Sequence, residues 1–247
     1  MMQTRWRMTA LLALTLAAGV SASQAQAEGG VSFSRNRLIF GAQEKGISLT
    51  VKNDGSTPYL VQAGVSGEAM TRTAAPFLVT PPLFRLDGNA QNVMRIVRTG
   101  SALPTDRESV FYFFANAIPG QSAAPGTAGA GDTAKVGASL SISMRTVLKL
   151  FWRPQGLTVS PKDAPDRMRF VPDGRAVVVK NPTPYYQSFA YLAFDGRAQD
   201  LDRGASMVAP FGELRLPATQ AVRTVSWSVM NDYGGSTDRK TQAVQAH

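Results

Sequence analysis

Few residues of this 247-residue chain are equipped for covalent chemistry. It has no cysteine, and its one histidine, His247, is the last residue. A thiolate nucleophile, a cysteine-rich zinc site and a Ser-His-Asp triad are therefore out of reach, unless His247 itself served as base. Three carboxylate pairs stand close in sequence: Asp163/Asp166, Asp200/Asp202 and Asp106/Glu108. A glycosidase needs two carboxyl groups facing each other across a cleft. The first two pairs fall in polar, turn-like stretches, where solvated side chains are the simpler reading. Gly129-Ala-Gly131-Asp-Thr-Ala134 matches the dinucleotide fingerprint G-x-G-x-x-A in form. It lies inside a Gly/Ala-rich stretch, 119–138, that has too little apolar content to order itself and lacks the flanking strand and helix the motif requires. No Walker, zincin or serine-hydrolase signature occurs. The chain reads as a non-enzyme without a cofactor or metal.

Binding chemistry is better represented. In "LSISMRTVLKLFWRP", 140–154, Leu140, Ile142 and Met144 alternate with Ser141 and Ser143, and Lys149 sits among large apolar residues. On its own the alternation fits an ordinary half-buried strand, Lys149 fits a snorkelling side chain, and Arg37 fits a surface strand charge. The chain carries a net charge of +9, but its cations are scattered rather than clustered. That balance suits acidic protein partners or a carboxylate better than nucleic acid.

The elements that must position these residues are strands. The first residues read as a cleavable export signal, 1–27: Arg5 and Arg7, an apolar stretch, then Ala25-Gln26-Ala27. The apolar stretch falls short of the roughly 20 residues that span a bilayer, so the chain is expected not to be membrane-embedded. From Val31 onward, runs such as "RLIF", "ISLTVKN", "YLVQAGV", "PFLVT" and "NVMRIVR" alternate with Gly, Pro, Asn and Asp clusters. This is the pattern of a β-sandwich. It breaks at "RPQG" and resumes with "MRFVPDGRAVVVKN", which predicts two sandwich domains, 28–153 and 157–247, with a hinge at 154–156. One large barrel is the alternative. No amphipathic helix of three turns is expected, and "VFYFF" at strand spacing is expected to be core.

Six blocks carry a resemblance: "RNRLIFGAQEKGISLTVKNDGSTPYLVQAGV", "FLVTPPLFRLDG", "LPTDRESVFYFF", "TVLKLFWRP", "NPTPYYQSFA" and "NDYGG". In this order they resemble the periplasmic chaperones of chaperone–usher fimbriae. The resemblance implies an all-β fold of two immunoglobulin-like domains arranged as a boomerang. It implies a periplasmic protein that binds exported pilus subunits by donor-strand complementation and delivers them to an outer-membrane usher, without ATP. Leu140, Ile142 and Met144 match the donor strand. Arg37 and Lys149 match the cleft pair that grips the subunit's terminal carboxylate, with Arg35 the neighbour to be distinguished from Arg37. Glu108, Arg153 and Asp232 match a charge network linking the domains. Thr80-Pro81 matches a turn where a cis peptide is plausible. A homodimer capping its own edge stays open. Phe114 and Ala115 depart from the family's Asn-aliphatic pair, and the long Gly/Ala loop leaves the subtype open. A structural Ig-like fibre subunit or adhesin is the competing reading. It would have one truncated sandwich behind an alternating N-terminal extension, whereas this chain has two strand series behind the short "EGGVSFSRNR".

Overall fold

The computed structural model describes residues 30–100, 102–120 and 141–244. The expected export signal, most of the Gly/Ala-rich stretch with its glycine motif, Leu140 and His247 lie outside them. Nine strands come first: β1 (Val31–Phe33), β2 (Arg37–Gly41), β3 (Ile47–Asn53), β4 (Tyr59–Ser66), β5 (Phe77–Thr80), β6 (Leu83–Leu86), β7 (Gln91–Arg98), β8 (Ser109–Pro119) and β9 (Met144–Arg153). They form two sheets, β1-β3-β7-β5 and β2-β9-β8-β4-β6. Every pairing is antiparallel except that of β2 with β9, which is parallel.

Period-two alternation makes these strands. In β3, Ile47, Leu49 and Val51 face inward while Ser48 and Lys52 face water. They join Leu38, Phe40, Val61, Met94, Ile96, Phe113, Leu150 and Trp152 in one core. Each large side chain so buried contributes roughly 1.5–3 kcal/mol against exposure. The "VFYFF" run splits by parity: Phe111 and Phe113 are core, while Tyr112 and Phe114 point the other way and are only half-buried. Phe114, one of the two departures from the family pattern, lies across Gly64, its partner on β4. A Cβ at Gly64 would stand 2.7 Å from the Phe114 ring, so the aromatic covers the bare backbone that glycine leaves in the strand.

The second series is β10 (Arg169–Pro172), β11 (Ala176–Lys180), β12 (Gln187–Phe194), β13 (Arg197–Ala198), β14 (Met207–Val208), β15 (Glu213–Pro217), β16 (Thr224–Val229) and β17 (Lys240–Ala243). Its sheets are β10-β11-β15 and β13-β12-β16-β17, with β14 also on β12. Phe170, Val177, Leu192, Val225 and Trp227 belong to a second, separate core. Two cores favour two sandwiches over one barrel. Asp195 and Gly196, both at positive φ, make the tight turn between β12 and β13. The only helical element among the described residues is a 3₁₀ turn, Ala164–Arg167. The expected hinge at 154–156 falls between β9 and that turn. Asp166 pairs with Lys240, and the Asp200 carboxylate accepts from the backbone of Asp202 and Arg203.

One expectation is corrected. The strand expected from Leu140 begins at Met144, and Ile142 precedes it. Strand pairing needs a neighbour. The β8 contact with β9 ends at Ala117–Met144, and β2 joins the other side only at Lys149. Residues 141–143 therefore have no strand partner among the described residues.

Candidate functional site: the cleft between the sandwiches

The parallel pairing of β2 with β9 sets Arg37 directly beside Lys149. Along β9, Leu148, Leu150 and Trp152 turn into the first core. Lys149, Phe151 and Arg153 alternate onto the opposite face, toward the second sandwich. Arg37 is only 5% exposed. Its guanidinium lies over the Phe151 ring, 4.0 Å from the centroid, and its Nη1 donates to Ser188 Oγ of β12 at 3.3 Å. Its Nε is buried with no acceptor among the described residues. Burial pushes Arg37 down from the ordinary arginine value, against the pull of the Glu108 and Asp232 charges. Burial also lowers Lys149, and the Arg37 charge lowers it further. No ion-pair partner for either cation is found among the described residues. Two adjacent cations in the cleft, one with a donor that no described residue uses, could hold an anion between them. A carboxylate accepts charge-assisted bonds worth roughly 1.5–3 kcal/mol each.

The three charges expected to link the domains do meet. Arg153 Nε donates to Glu108 Oε1 at 2.8 Å, and its Nη1 and Nη2 donate to the two Asp232 oxygens at 2.6 and 2.7 Å. Glu108 Oε2 accepts from the Tyr186 backbone N–H, and the Glu108 N–H donates to the Pro184 carbonyl. Burial raises the Glu108 carboxyl above its usual range, and Arg153 pulls against it. Burial also opposes the Asp232 charge, but the Arg153 bonds outweigh it and hold Asp232 below the usual range. Burial works against the Arg153 charge as well, and its Asp232 and Glu108 bonds outweigh it and raise Arg153. The "NPTPYYQ" block supplies the second domain's side of this joint. Asn181 Nδ2 donates to the Tyr185 and Ala209 carbonyls while its Oδ1 accepts from Thr183, which fixes the loop that carries Pro184 and Tyr186.

Ile142 and Met144 are 65% and 44% exposed and stand ahead of Lys149 on this same edge. Their parity is that of Leu148 and Leu150, so Lys149 stays on the opposite face, as the alternation requires. Among the described residues, Met144 to Leu148 pair on one side only, with β8. The Thr80-Pro81 bond is cis. Arg35 is exposed ahead of β2, whereas Arg37 is buried at its start and pairs in register with Lys149.

Residue-by-residue reading missed Asn36, Phe151, Ser188, Tyr233 and Gly234. Asn36 Nδ2 donates to the Gly234 carbonyl at 3.0 Å, which ties the residue before Arg37 to the residue after Tyr233. Gly234 has φ +84°, and a Cβ there would overlap Asn36 Oδ1. "NDYGG" was the available signal: an Asx turn followed by two glycines marks a chain that needs close approach.

Residues 30–158 match the family described as "Pili and flagellar-assembly chaperone, PapD N-terminal domain". Residues 163–241 match "Pili assembly chaperone PapD, C-terminal domain". The "Chaperone protein LpfB" of Salmonella typhimurium is 37% identical over 221 residues, covering 87% of this chain and 90% of its own length. The "Probable fimbrial chaperone LpfB" of Escherichia coli O157:H7 is 34% identical over 235 residues, 94% of this chain and 96% of its own. Among solved structures, that of the Salmonella enterica SafA pilin in complex with the SafB chaperone matches with a TM-score of 0.75 and 32% identity, over 87% of this chain and 97% of that one. The E. coli chaperone DraB matches with a TM-score of 0.74 and 32% identity, over 88% and 97%. With two sandwiches, a cation pair in the cleft between them and matches along nearly the whole described length, this chain belongs to the pilus-assembly chaperone family.

Proposed function

We propose that this chain works in the periplasm, binds exported pilus subunits by lending them the edge of β9, and hands them to an outer-membrane usher. One observation carries the reading. β2 runs parallel to β9 and starts at Arg37, so among the described residues the same lane along β9 is unpaired over Met144 to Leu148 and filled from Lys149 onward. A strand entering that lane parallel to β9 would end where β2 begins, with its terminal carboxylate against Arg37 and Lys149. The carboxylate then sets the register, and Ile142 and Met144 meet the apolar groove of a sandwich that lacks a strand. Leu140 extends the same alternation.

The leader-type sequence 1–27 supports export, and two separate cores support two domains, which we place at 28–153 and 157–247. Nothing in the mechanism calls for catalysis or a cofactor. A homodimer would occupy the same β9 edge and so compete with the subunit. The fibre-subunit alternative fits less well, because the described residues form two sandwiches with separate cores rather than one truncated sandwich.

Co-expression with the pilus subunits encoded beside it, followed by affinity capture, tests the proposal. The wild type is expected to retain a subunit through purification. Arg37→Ala and Lys149→Ala are expected to lose most of it while remaining folded. Full retention by both variants would refute the carboxylate grip.

A further inference from the structure

Two hollows flank Arg37. One, of about 310 Å³, is lined in part by Tyr185, Tyr186, Val229 and Met230. The other, of about 400 Å³, is lined by Ser34, Arg35 and Ile39. Arg37, Asp232 and Tyr233 are common to both. Asp232 is occupied, since both its oxygens accept from Arg153. Tyr233 is 95% exposed, on a turn held by several hydrogen bonds. Asn231 Oδ1 accepts from the Tyr233 and Gly235 N–H groups, Asn231 N–H donates to the Gly235 carbonyl, and Gly234 N–H donates to Asn231. Asn36, the residue before Arg37, holds the turn from the first domain through Gly234. Asp232 holds it through Arg153. An exposed aromatic on a hydrogen-bonded turn, lining the same hollows as Arg37, loses little freedom when it gains a contact.

We propose that Tyr233 packs against the side chain of the subunit's last residue once its carboxylate is held, so that this residue's size and apolarity select the subunit. Asn36 and Gly234 are positioning residues: they touch no ligand and fix the turn relative to Arg37. This rests on the carboxylate-grip reading. The terminal residue it favours is aromatic or large and aliphatic, because a tyrosine ring gains most from another ring or a branched chain. A terminal glycine or aspartate gains nothing from it.

The test uses the purified protein and short synthetic peptides of alternating apolar residues, ending in Tyr, Leu, Ala or Gly, each as free acid and as amide. Wild-type affinity for the acids is expected to fall about fivefold from Tyr to Gly. Tyr233→Ala is expected to flatten that ranking while leaving the acid-over-amide preference and the melting temperature unchanged. Arg37→Ala is expected to lose the acid preference. Asn36→Ala is expected to blunt both the ranking and the acid preference, and Gly234→Ala more so. Combining Gly234→Ala with Asn36→Ala, which removes the atom the new Cβ would hit, is expected to restore part of the ranking. If Tyr233→Ala keeps the wild-type ranking while acids still beat amides, this proposal is overturned and the grip stands. If acids and amides bind the wild type equally, the grip fails and this proposal fails with it.

Discussion

Lys149 carries a charge that its surroundings oppose. Burial comes first, and Arg37 beside it in register adds repulsion; both lower its pKa below the ordinary lysine value. A base whose folded pKa is depressed costs stability while it stays protonated, and the cost is relieved as pH rises through the folded pKa toward the unfolded one. The free protein thus maintains an unfavourable pair whose repulsion an incoming carboxylate would cancel. Lys149→Met is expected to melt at a higher temperature than the wild type near neutral pH, yet to bind a free-acid peptide more weakly. Unfolding followed by circular dichroism, paired with peptide titration, reads both; a variant that melts lower would sink the idea that the charge is held against its surroundings. The acid-over-amide preference of the wild type should also fade on the alkaline side, earlier than an ordinary lysine would permit. Lys149→Arg, with a group that does not deprotonate in this range, should keep the preference to higher pH.

Along β9 one parity serves two purposes. Leu148, Leu150 and Trp152 fill the protein's own core, while Met144 at the start of β9 and Ile142 ahead of it share their parity in sequence but are exposed. Mutations along one line should therefore split into two classes. Leu150→Ala is expected to cost about 2–5 kcal/mol of stability, because the side chain is fully enclosed. Ile142→Asp and Met144→Asp are expected to leave the melting temperature within a degree or so of wild type, because both side chains already face water. They should still abolish subunit capture, since each removes a group worth roughly 1.5–3 kcal/mol once buried. Equal melting losses in both classes would mean that Ile142 and Met144 serve only the protein's own fold. The sequence made strands such as β3 plain because they are buried on one face, and burial writes itself as alternation. It could not show that β9 starts at Met144, because that depends on where β8 and β2 stop, which is a property of neighbours. Nor could it show that Arg37 is enclosed: a charge on a strand looks the same whether water or Phe151 lies above it. The "NDYGG" block signalled a turn, but not that Asn36, almost two hundred residues earlier, would hold it.

At the scale of the molecule, the cleft exists only while the two sandwiches hold a fixed relation. Arg153 is the residue on which the charged part of that joint converges, bonding to Glu108 in its own domain and to Asp232 in the other. Its loss would strand Glu108, whose side chain is fully enclosed, with Tyr186 N–H as its remaining side-chain partner. Leaving one member of a buried pair uncompensated costs about 3–5 kcal/mol. Arg153→Ala is accordingly expected to separate a single calorimetric transition into two, one for each core, and to broaden the interdomain distances seen by small-angle scattering. Adding Glu108→Gln removes the stranded charge but not the lost bridge. The double variant should recover much of the first domain's melting temperature while the domains stay uncoupled. The pH dependence has two opposed parts. Asp232, held below the ordinary carboxylate value, stabilises the joint above that value, and the effect is lost as pH falls through its lowered pKa. Glu108, raised by burial, costs stability at neutral pH and is relieved as pH falls through its raised pKa. Mild acid should thus relieve Glu108 before it releases Asp232, and Glu108→Gln should erase the first part alone. If Arg153→Ala still melts in one transition with unchanged scattering, the aromatic and backbone contacts of Phe151, Tyr186 and Pro184 are sufficient to hold the cleft, and the charges serve only to tune it.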